Sequence, residues 1–233
     1  MTLSKTVLAL ATVLSLGAAQ AQTITGQDIL NDFTSNNNAS FSVAAAGGTA
    51  TLGLKAQNGF TGVGVEGGTA GEIDVGESIT LTFTAPTAIA SFTLGLLFNG
   101  PEYDDVREVA KITINGINGT VYTLTTGATD NIADWLNLTT SVSTSVSYIS
   151  GAGTLSGLGG VITVGNPFGS DLVSSIKFEA LTGICGSLGG ACTNQSDYNV
   201  VNVTPVPEPE TYALMLAGLA AVAFVARRRR PAA

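Results

Sequence analysis

The chain has 233 residues, of which 45% are hydrophobic and 11% are charged, and it contains no histidine. This composition excludes a disordered chain, whose signature is low hydrophobicity and high charge. The absence of histidine removes the commonest general base, the Ser-His-Asp and Cys-His nucleophilic sites and the usual catalytic zinc sites. A net charge of −8 argues against nucleic acid as a partner, because phosphate neutralisation needs a patch of lysine and arginine.

Residues 1–21 have the three parts of a secretory signal peptide. Lys5 supplies a positive charge, residues 6–16 form an apolar stretch, and Ala19 and Ala21 are the small residues of a cleavage site. We expect signal peptidase to cut after Ala21 and the exported chain to begin with the next residue.

Residues 22–204 form the predicted passenger domain, and their patterning is that of β-strands. Polar and apolar residues alternate with a period of two in residues 78–83 and 111–115, as in strands with one buried face. Further candidate strands span residues 40–45, 49–54, 89–98, 142–149, 155–164, 174–179 and 198–203. About ten short strands separated by Gly, Asn and Pro predict an all-β sandwich.

A hairpin and two short helices complete the expected elements of the passenger. The Asn-Gly pairs at 115–116 and 118–119 stand between apolar alternating segments and have the turn chemistry of a hairpin. The helices are expected at residues 25–33 and 130–136.

The passenger is strongly acidic, with fifteen acidic and four basic residues and a net charge of −11. Carboxylate-rich loops suit Ca²⁺, which takes six to eight oxygen ligands, although no EF-hand spacing is present. The alternative is a solvated acidic surface in which Asp105 and Glu108 pair with Arg107 or Lys111. The candidate calcium ligands form two clusters: Glu72, Asp74 and Glu77, and Glu102, Asp104 and Asp105.

The cysteines and the glycine-rich segment have structural interpretations. Cys185 and Cys192 are the only two thiols of an exported chain, and an oxidising compartment predicts a disulfide between them. Gly62, Gly64 and Gly67 match the dinucleotide-binding pattern G-x-G-x-x-G, but no helix follows them, and we interpret them as turn glycines.

Aromatic and hydroxyl residues suggest two further features of the passenger. Trp135, Tyr103 and Tyr148 are candidates for stacking on sugar rings, with core or rim packing as the alternative. The Thr/Ser run at residues 139–147 predicts one strand with a hydroxyl face, and no repeat is evident that would extend it into an ice-binding array.

The C-terminal segment, residues 205–233, has three parts in a fixed order. Pro207, Glu208 and Pro209 precede an apolar stretch at residues 212–226, and a basic cluster follows: Arg227, Arg228, Arg229 and Arg230. The apolar stretch is short for a bilayer core, which needs about 20 residues. The arginines nevertheless fit the cytoplasmic face of a membrane and would be stranded in a protein core. The sequence therefore predicts one transmembrane helix with the passenger outside.

This tripartite arrangement resembles the PEP-CTERM sorting signal of Gram-negative bacteria, which is found in substrates of exosortase. The resemblance implies membrane anchoring until exosortase processes the tail, and a final location at the cell surface or outside the cell. Residues 62–83 also resemble passengers that occur with this signal. That second resemblance implies a jelly-roll-like fold and no agreed activity.

Together these features predict an exported protein of the cell envelope or extracellular matrix. We expect a structural or adhesive role with exopolysaccharide interaction, no enzymatic activity, and no cofactor other than the calcium considered above. The alternative is a secreted carbohydrate-active enzyme that uses paired carboxylates in the manner of a glycosidase. The separation of those carboxylates in space would distinguish the two functions.

Overall fold

The computed structural model describes residues 22–57, 59–99, 106–116, 118–127, 132–150, 159–185, 195–206, 216–220 and 222. The chain divides into two compact units, Ala21–Val206 and the pair of end segments Met1–Gln20 and Pro207–Ala233. The predicted signal peptide lies outside the described residues. Of the predicted transmembrane stretch, residues 216–220 and 222 are described, and they are helical.

The unit Ala21–Val206 consists mainly of β-strands, which confirms the all-β class expected from the period-two patterning. Its helix α1 spans Gly26–Ser35. The strands are β1 (Ile24–Thr25), β2 (Phe41–Ala46), β3 (Leu52–Gln57), β4 (Phe60–Val65), β5 (Ser78–Thr87), β6 (Ile89–Leu97), β7 (Val106–Ile114), β8 (Val121–Thr126), β9 (Ile132–Asn137), β10 (Val142–Ser150), β11 (Gly160–Gly165), β12 (Val173–Cys185) and β13 (Asn199–Pro205).

Helix α1 begins where the sequence predicts it, because Thr25 caps it. The Thr25 hydroxyl accepts the Asp28 N–H at 3.2 Å, and the Asp28 carboxylate accepts the Thr25 N–H at 2.9 Å, which forms a capping box. The helix ends at Ser35, and Asn36 caps it: the left-handed φ of 47° at Asn36 lets its N–H donate to the Asp32 carbonyl at 2.6 Å. Ile29 is fully buried, and α1 packs against β2, β3 and β4.

The strands form two antiparallel sheets that share β10. The first sheet has the order β2-β5-β12-β7-β8-β9-β10, and from β10 the second continues as β11-β6-β13-β4-β3. β10 pairs with β9 from Val142 to Ser147 and with β11 at Tyr148 and Ser150. The sheets are therefore continuous on the β10 side, whereas β2 and β3 end the two sheets and both contact α1.

The inner faces of the two sheets meet in one hydrophobic core. Phe92 of β6 in the second sheet contacts two rings of the first sheet, Phe178 at 5.9 Å and Trp135 at 5.3 Å between ring centroids. Phe168, in the loop between β11 and β12, stacks on Phe92 at 6.2 Å. Because these rings join residues of both sheets, the passenger is a two-sheet sandwich.

The predicted hairpin is confirmed as the pair β7 and β8, in which Ile112 lies opposite Tyr122. Asn115 and Gly116 have φ angles of 61° and 81°. Asparagine and glycine tolerate this left-handed conformation, which the turn requires.

The prediction of a helix at residues 130–136 is wrong, since residues 132–137 form β9. Along β9 Ile132 and Asp134 are exposed while Ala133 and Trp135 are buried, which is the period of a strand. A short amphipathic segment fits both the helical period and the strand period. Here pairing with both β8 and β10 stabilises the strand.

The glycine-rich segment predicted as a turn begins instead with strand β4, which contains Gly62 and Gly64. A Cβ atom at Gly64 would overlap the backbone of Gly71 and Glu72, and one at Gly62 would overlap the Asn199 side chain. Glycine is needed at residue 64 because the backbone of residues 71–72 approaches too closely for any side chain, whereas the neighbour of Gly62 is a side chain.

We expect Gly64→Ala to lower the free energy of unfolding of the passenger by at least about 1–3 kcal/mol, the usual cost of overpacking. Backbone atoms cannot move aside as a flexible side chain can. Gly165→Ala is the matched control, since a Cβ atom there would meet nothing within 4 Å. Urea unfolding of the two variants measures the difference. Equal stabilities would contradict the close approach of β4 and residues 71–72.

Candidate functional site

The first predicted acidic cluster lies between β4 and β5, where each of its carboxylates has a partner within the chain. Glu72 is buried and forms an ion pair with Lys55 of β3. The Asp74 carboxylate accepts the Thr69 N–H at 2.6 Å, and the Glu77 carboxylate accepts the Asp74 N–H at 3.0 Å. These contacts organise the segment that leads from β4 into β5.

The carboxylate of Glu108, next to the second predicted cluster, is buried rather than solvated. It accepts the Phe98 N–H at 2.7 Å and the Asp197 N–H at 3.3 Å, so it joins segments that are distant in sequence. The predicted ligands of this cluster lie outside the described residues: Glu102, Asp104 and Asp105.

The lysine expected to pair with Glu108 or Asp105 has a different partner. Lys111 and Lys177 both contact Glu179, at N–O distances of 3.0 Å and 2.8 Å. Burial acts to raise the pKa of Glu179, but hydrogen bonds from the two lysines outweigh it and hold that pKa below its usual value. Arg107 donates from Nε to the Thr126 carbonyl at 2.7 Å. Lys111 thus pairs with Glu179, and the partners described for the Glu108 carboxylate are backbone N–H groups.

Within the part of the chain that the structure describes, no three His, Cys, Asp or Glu side chains come close enough together to hold a metal ion. In the first cluster, the carboxylates bind a lysine and backbone N–H groups instead. Because the other three candidate ligands lie outside this part, the calcium site stays a prediction.

Cys185, the last residue of β12, is disulfide-bonded. The sequence contains one other cysteine, Cys192, which lies outside the described residues. Cys192 remains the predicted partner of this bond.

An open cleft of about 680 Å³ lies where β10 passes from one sheet to the other. Over residues 142–147 β10 pairs with β9, while residues 163–165 of β11 pair with β6. Between β10 and β11 themselves, the described pairs are those of Tyr148 and Ser150. The two strands diverge beyond these pairs, and the space between them is the cleft.

The lining of the cleft combines hydrogen-bonding side chains with buried aromatic rings. Trp135, Tyr122 and Phe168 contribute the rings, and each of them is buried. Asp171 is the one carboxylate among the lining residues that the structure describes. Hydroxyl and amide groups come from β10, β11 and the adjoining turns: Thr140, Thr144, Ser145, Ser147, Thr163 and Asn166.

Trp135 and Tyr122 stack on each other at the cleft, with ring centroids 4.9 Å apart and an interplanar angle of 3°. The Trp135 Nε1–H donates to the Pro167 carbonyl at 3.1 Å and so holds the loop after β11 against β9. Burial raises the pKa of Tyr122, and the negative charge of Asp171 raises it further. The Tyr122 phenol is thus a neutral group at the cleft.

Of the three aromatic residues predicted to stack on sugar rings, the structure describes the side chain of one. Trp135 packs in the core and reaches the cleft as part of its lining, which corresponds to the core alternative. Tyr103 and the side chain of Tyr148 lie outside the described part.

Sequence reasoning did not connect Tyr122, Phe168 and Asp171 with the cleft, because they are far from β10 along the chain. The one available signal was the Thr/Ser run at 139–147. The structure places most of that run on β10, with Thr144 and Ser145 at the cleft.

The similarity to known proteins lies at the C-terminal end of the chain. A family model described as the PEP-CTERM protein-sorting motif matches residues 205–230. The chain carries a PEP-CTERM sorting motif. This motif implies an exported protein that exosortase sorts. No curated protein and no solved structure matches the chain.

The PEP-CTERM match begins at the last residue of β13, Pro205. The next residue, Val206, still belongs to the folded passenger, because its N–H donates to the Ala88 carbonyl at 2.7 Å. In the segments that the structure describes, no helix is both long and apolar enough to cross a membrane. Pro207, Glu208 and Pro209 and the four arginines at 227–230 lie outside those segments.

We expect Lys55→Met to lower the free energy of unfolding of the PEP-CTERM passenger by about 1–3 kcal/mol at pH 7, because the buried Glu72 carboxylate loses its cation. Lys177→Met is the matched control. It removes a half-exposed partner of Glu179 while Lys111 remains, and should cost less than about 1 kcal/mol. Urea unfolding compares the variants, and equal losses would show that the burial of Glu72 has no energetic consequence.

Proposed function

We propose that this protein is an exported component of the cell envelope or extracellular matrix, with a structural or adhesive role, and that it binds neutral polysaccharide in the cleft between β10 and β11. The observation that carries the proposal is the lining of that cleft, which presents many hydroxyl and amide groups and a single described carboxylate.

The proposed export of the protein depends on both ends of the chain. Signal peptidase removes residues 1–21, and the apolar stretch at 212–226 holds the chain in the membrane until exosortase removes the tail. The passenger folds outside as a jelly-roll-like sandwich. The chain alternates between the sheets, since β2, β5 and β7 belong to the first sheet and β3, β4 and β6 to the second, which supports this description.

The chemistry of the cleft is suited to sugars because a sugar presents several hydroxyl groups on a ring with apolar C–H faces. Serine and threonine hydroxyls can each donate and accept a hydrogen bond, and asparagine offers both functions in one plane. Thr144 and Ser145 are exposed on β10 and accessible to a ligand. Val146 and Phe168 supply apolar contacts in the same lining.

Charge favours a neutral sugar over a uronic acid. The passenger has a net charge of −11, and Asp171 adds a negative charge inside the cleft. An anionic glycan would be repelled by both, whereas a neutral glycan can donate a hydrogen bond to the Asp171 carboxylate.

The same lining supports binding rather than hydrolysis. A glycosidase needs two carboxyl groups, about 5–10 Å apart, on either side of the scissile bond. Asp171 is unaccompanied by a second carboxylate among the described lining residues. The proposal is therefore a binding protein and not an enzyme.

The export part is tested by the intact mass of the protein from the envelope and medium of its own host. We expect a form that begins at Gln22 and ends near Pro209. A form that retains residues 212–230 would contradict exosortase processing and leave a membrane-anchored protein.

The binding part is tested by fluorescence, because the chain has a single tryptophan and Trp135 lines the cleft. We expect cellohexaose to change the Trp135 emission in a saturable manner and an oligogalacturonate of the same length to bind more weakly. Thr144→Val should weaken cellohexaose binding about 2–10-fold, the value of one neutral hydrogen bond.

Ser143→Ala is the matched control for binding, because Ser143 lies on the same strand but is not among the cleft lining residues. It should bind cellohexaose like the unaltered protein. Equal losses in the Ser143 and Thr144 variants, or stronger binding of the acidic oligomer, would overturn the assignment of the cleft to neutral sugars.

A further inference from the structure

Ser141, just before β10, and the first six residues of β10 form a sequence that is the same in both directions. Residues 141–147 are Ser-Val-Ser-Thr-Ser-Val-Ser, and Thr144 is the central residue. In an antiparallel pair of identical strands centred on Thr144, every residue of this segment therefore lies opposite a residue of its own type.

In the described part of the chain, one edge of this segment is open. Residues 142–147 pair with β9 on one side, and the described pairs of β10 with β11 occur only at Tyr148 and Ser150. Val142, Ser143, Thr144 and Ser145 are exposed. Among the residues that the structure describes, no strand pairs with the second side of this segment, and the open cleft lies there, as at the edge of a sheet.

This edge lacks the features that protect sheet edges from pairing. Proteins block such edges with charged residues, proline or a covering element. Residues 141–147 contain no charged residue and no proline, although the passenger as a whole has a net charge of −11. By contrast, the outer strands β2 and β3 contact helix α1, and β3 also carries Lys55.

We propose that residues 142–146 of β10 pair antiparallel with the same residues of a second copy of this chain. Thr144 of each copy lies on the two-fold axis, Ser143 lies opposite Ser145, and Val142 lies opposite Val146. Such an interface is isologous, because the same surface contributes both halves. It joins the first sheets of two passengers into one continuous sheet through main-chain hydrogen bonds.

The side chains in this register support the pairing. Val142, Thr144 and Val146 share one face of β10, because they lie opposite Asn137, Trp135 and Ala133 of β9. Val142 is 61% exposed, and the Val146 side chain of the second copy would cover it. A low charge density at the contact also limits repulsion between two acidic molecules.

The self-pairing goes beyond the proposed binding of polysaccharide. Both use the cleft side of β10, so a second copy and a bound glycan would compete for it. The proposed contact through β10 requires no ligand. Cross-linking measures the pairing directly, whereas Trp135 emission with cellohexaose measures the sugar site, so the failure of either proposal is seen separately.

Cysteine cross-linking of the full-length chain in the envelope of its host tests the register. In an antiparallel pair, directly opposed residues have Cα atoms about 4.5–5.5 Å apart, within the range of a disulfide, whereas diagonal neighbours lie about 7–8 Å apart. Thr144→Cys should therefore give a disulfide-linked dimer after oxidation with copper phenanthroline. Ser143→Cys and Ser145→Cys, each alone, should give at least tenfold less dimer.

A mixed experiment supplies the matched control. When Ser143→Cys and Ser145→Cys chains with different tags are co-expressed, they should form a mixed dimer as efficiently as Thr144→Cys, because Ser143 lies opposite Ser145 of the second copy. An unchanged far-UV circular dichroism spectrum of each variant verifies its fold. The proposal is overturned if folded Thr144→Cys gives no dimer, if the mixed pair gives none, or if all single variants cross-link equally.

Discussion

Phe92 lies at the centre of the contact between the two sheets. Its ring meets Trp135 and Phe178 of the first sheet and Phe168 of the loop after β11. Because protein cores are close-packed, these rings set the spacing of the sheets and leave little freedom for the elements around them. The floor of the cleft depends on this arrangement, since Trp135 and Phe168 are core residues that also belong to the cleft lining. The Trp135 hydrogen bond to Pro167 then positions the loop that forms one side of the cleft.

The divergence of β10 from β11 produces both the cleft and the edge of β10 on which the two proposals rest. Had the two strands remained paired along their whole length, β10 would be an interior strand without a free edge, and no space would separate it from residues 163–165. Ser141 has a left-handed φ of 57° just before β10, and the ladder to β11 shifts register between Tyr148 and Ser150. Irregularities of this kind bend strands and end pairing, and they occur often beside functional sites.

The acidic residues of the passenger have more than one role. Glu72 and Glu108 are buried and hold together segments that are distant in sequence, through Lys55 and through backbone N–H groups respectively. A buried carboxylate without such partners would be costly, so these contacts explain why acidic residues can lie inside this small sandwich. Asp171 instead lies at the cleft, where its charge also affects Tyr122. Sequence clustering alone could not separate these roles, because all three residues are acidic side chains near strand ends.

The sequence alone determined the sorting motif, the all-β class, helix α1 and the β7–β8 hairpin, because each depends on local features: a linear motif, period-two patterning, the cap at Thr25 and an Asn-Gly turn. Tertiary structure alone decided that residues 132–137 form a strand and that Gly62 and Gly64 lie within β4. It also decided that Tyr122, Thr144 and Asp171 line one cleft. These outcomes depend on which strands pair and how closely they approach, and long-range pairing leaves no local pattern in the residues that it brings together.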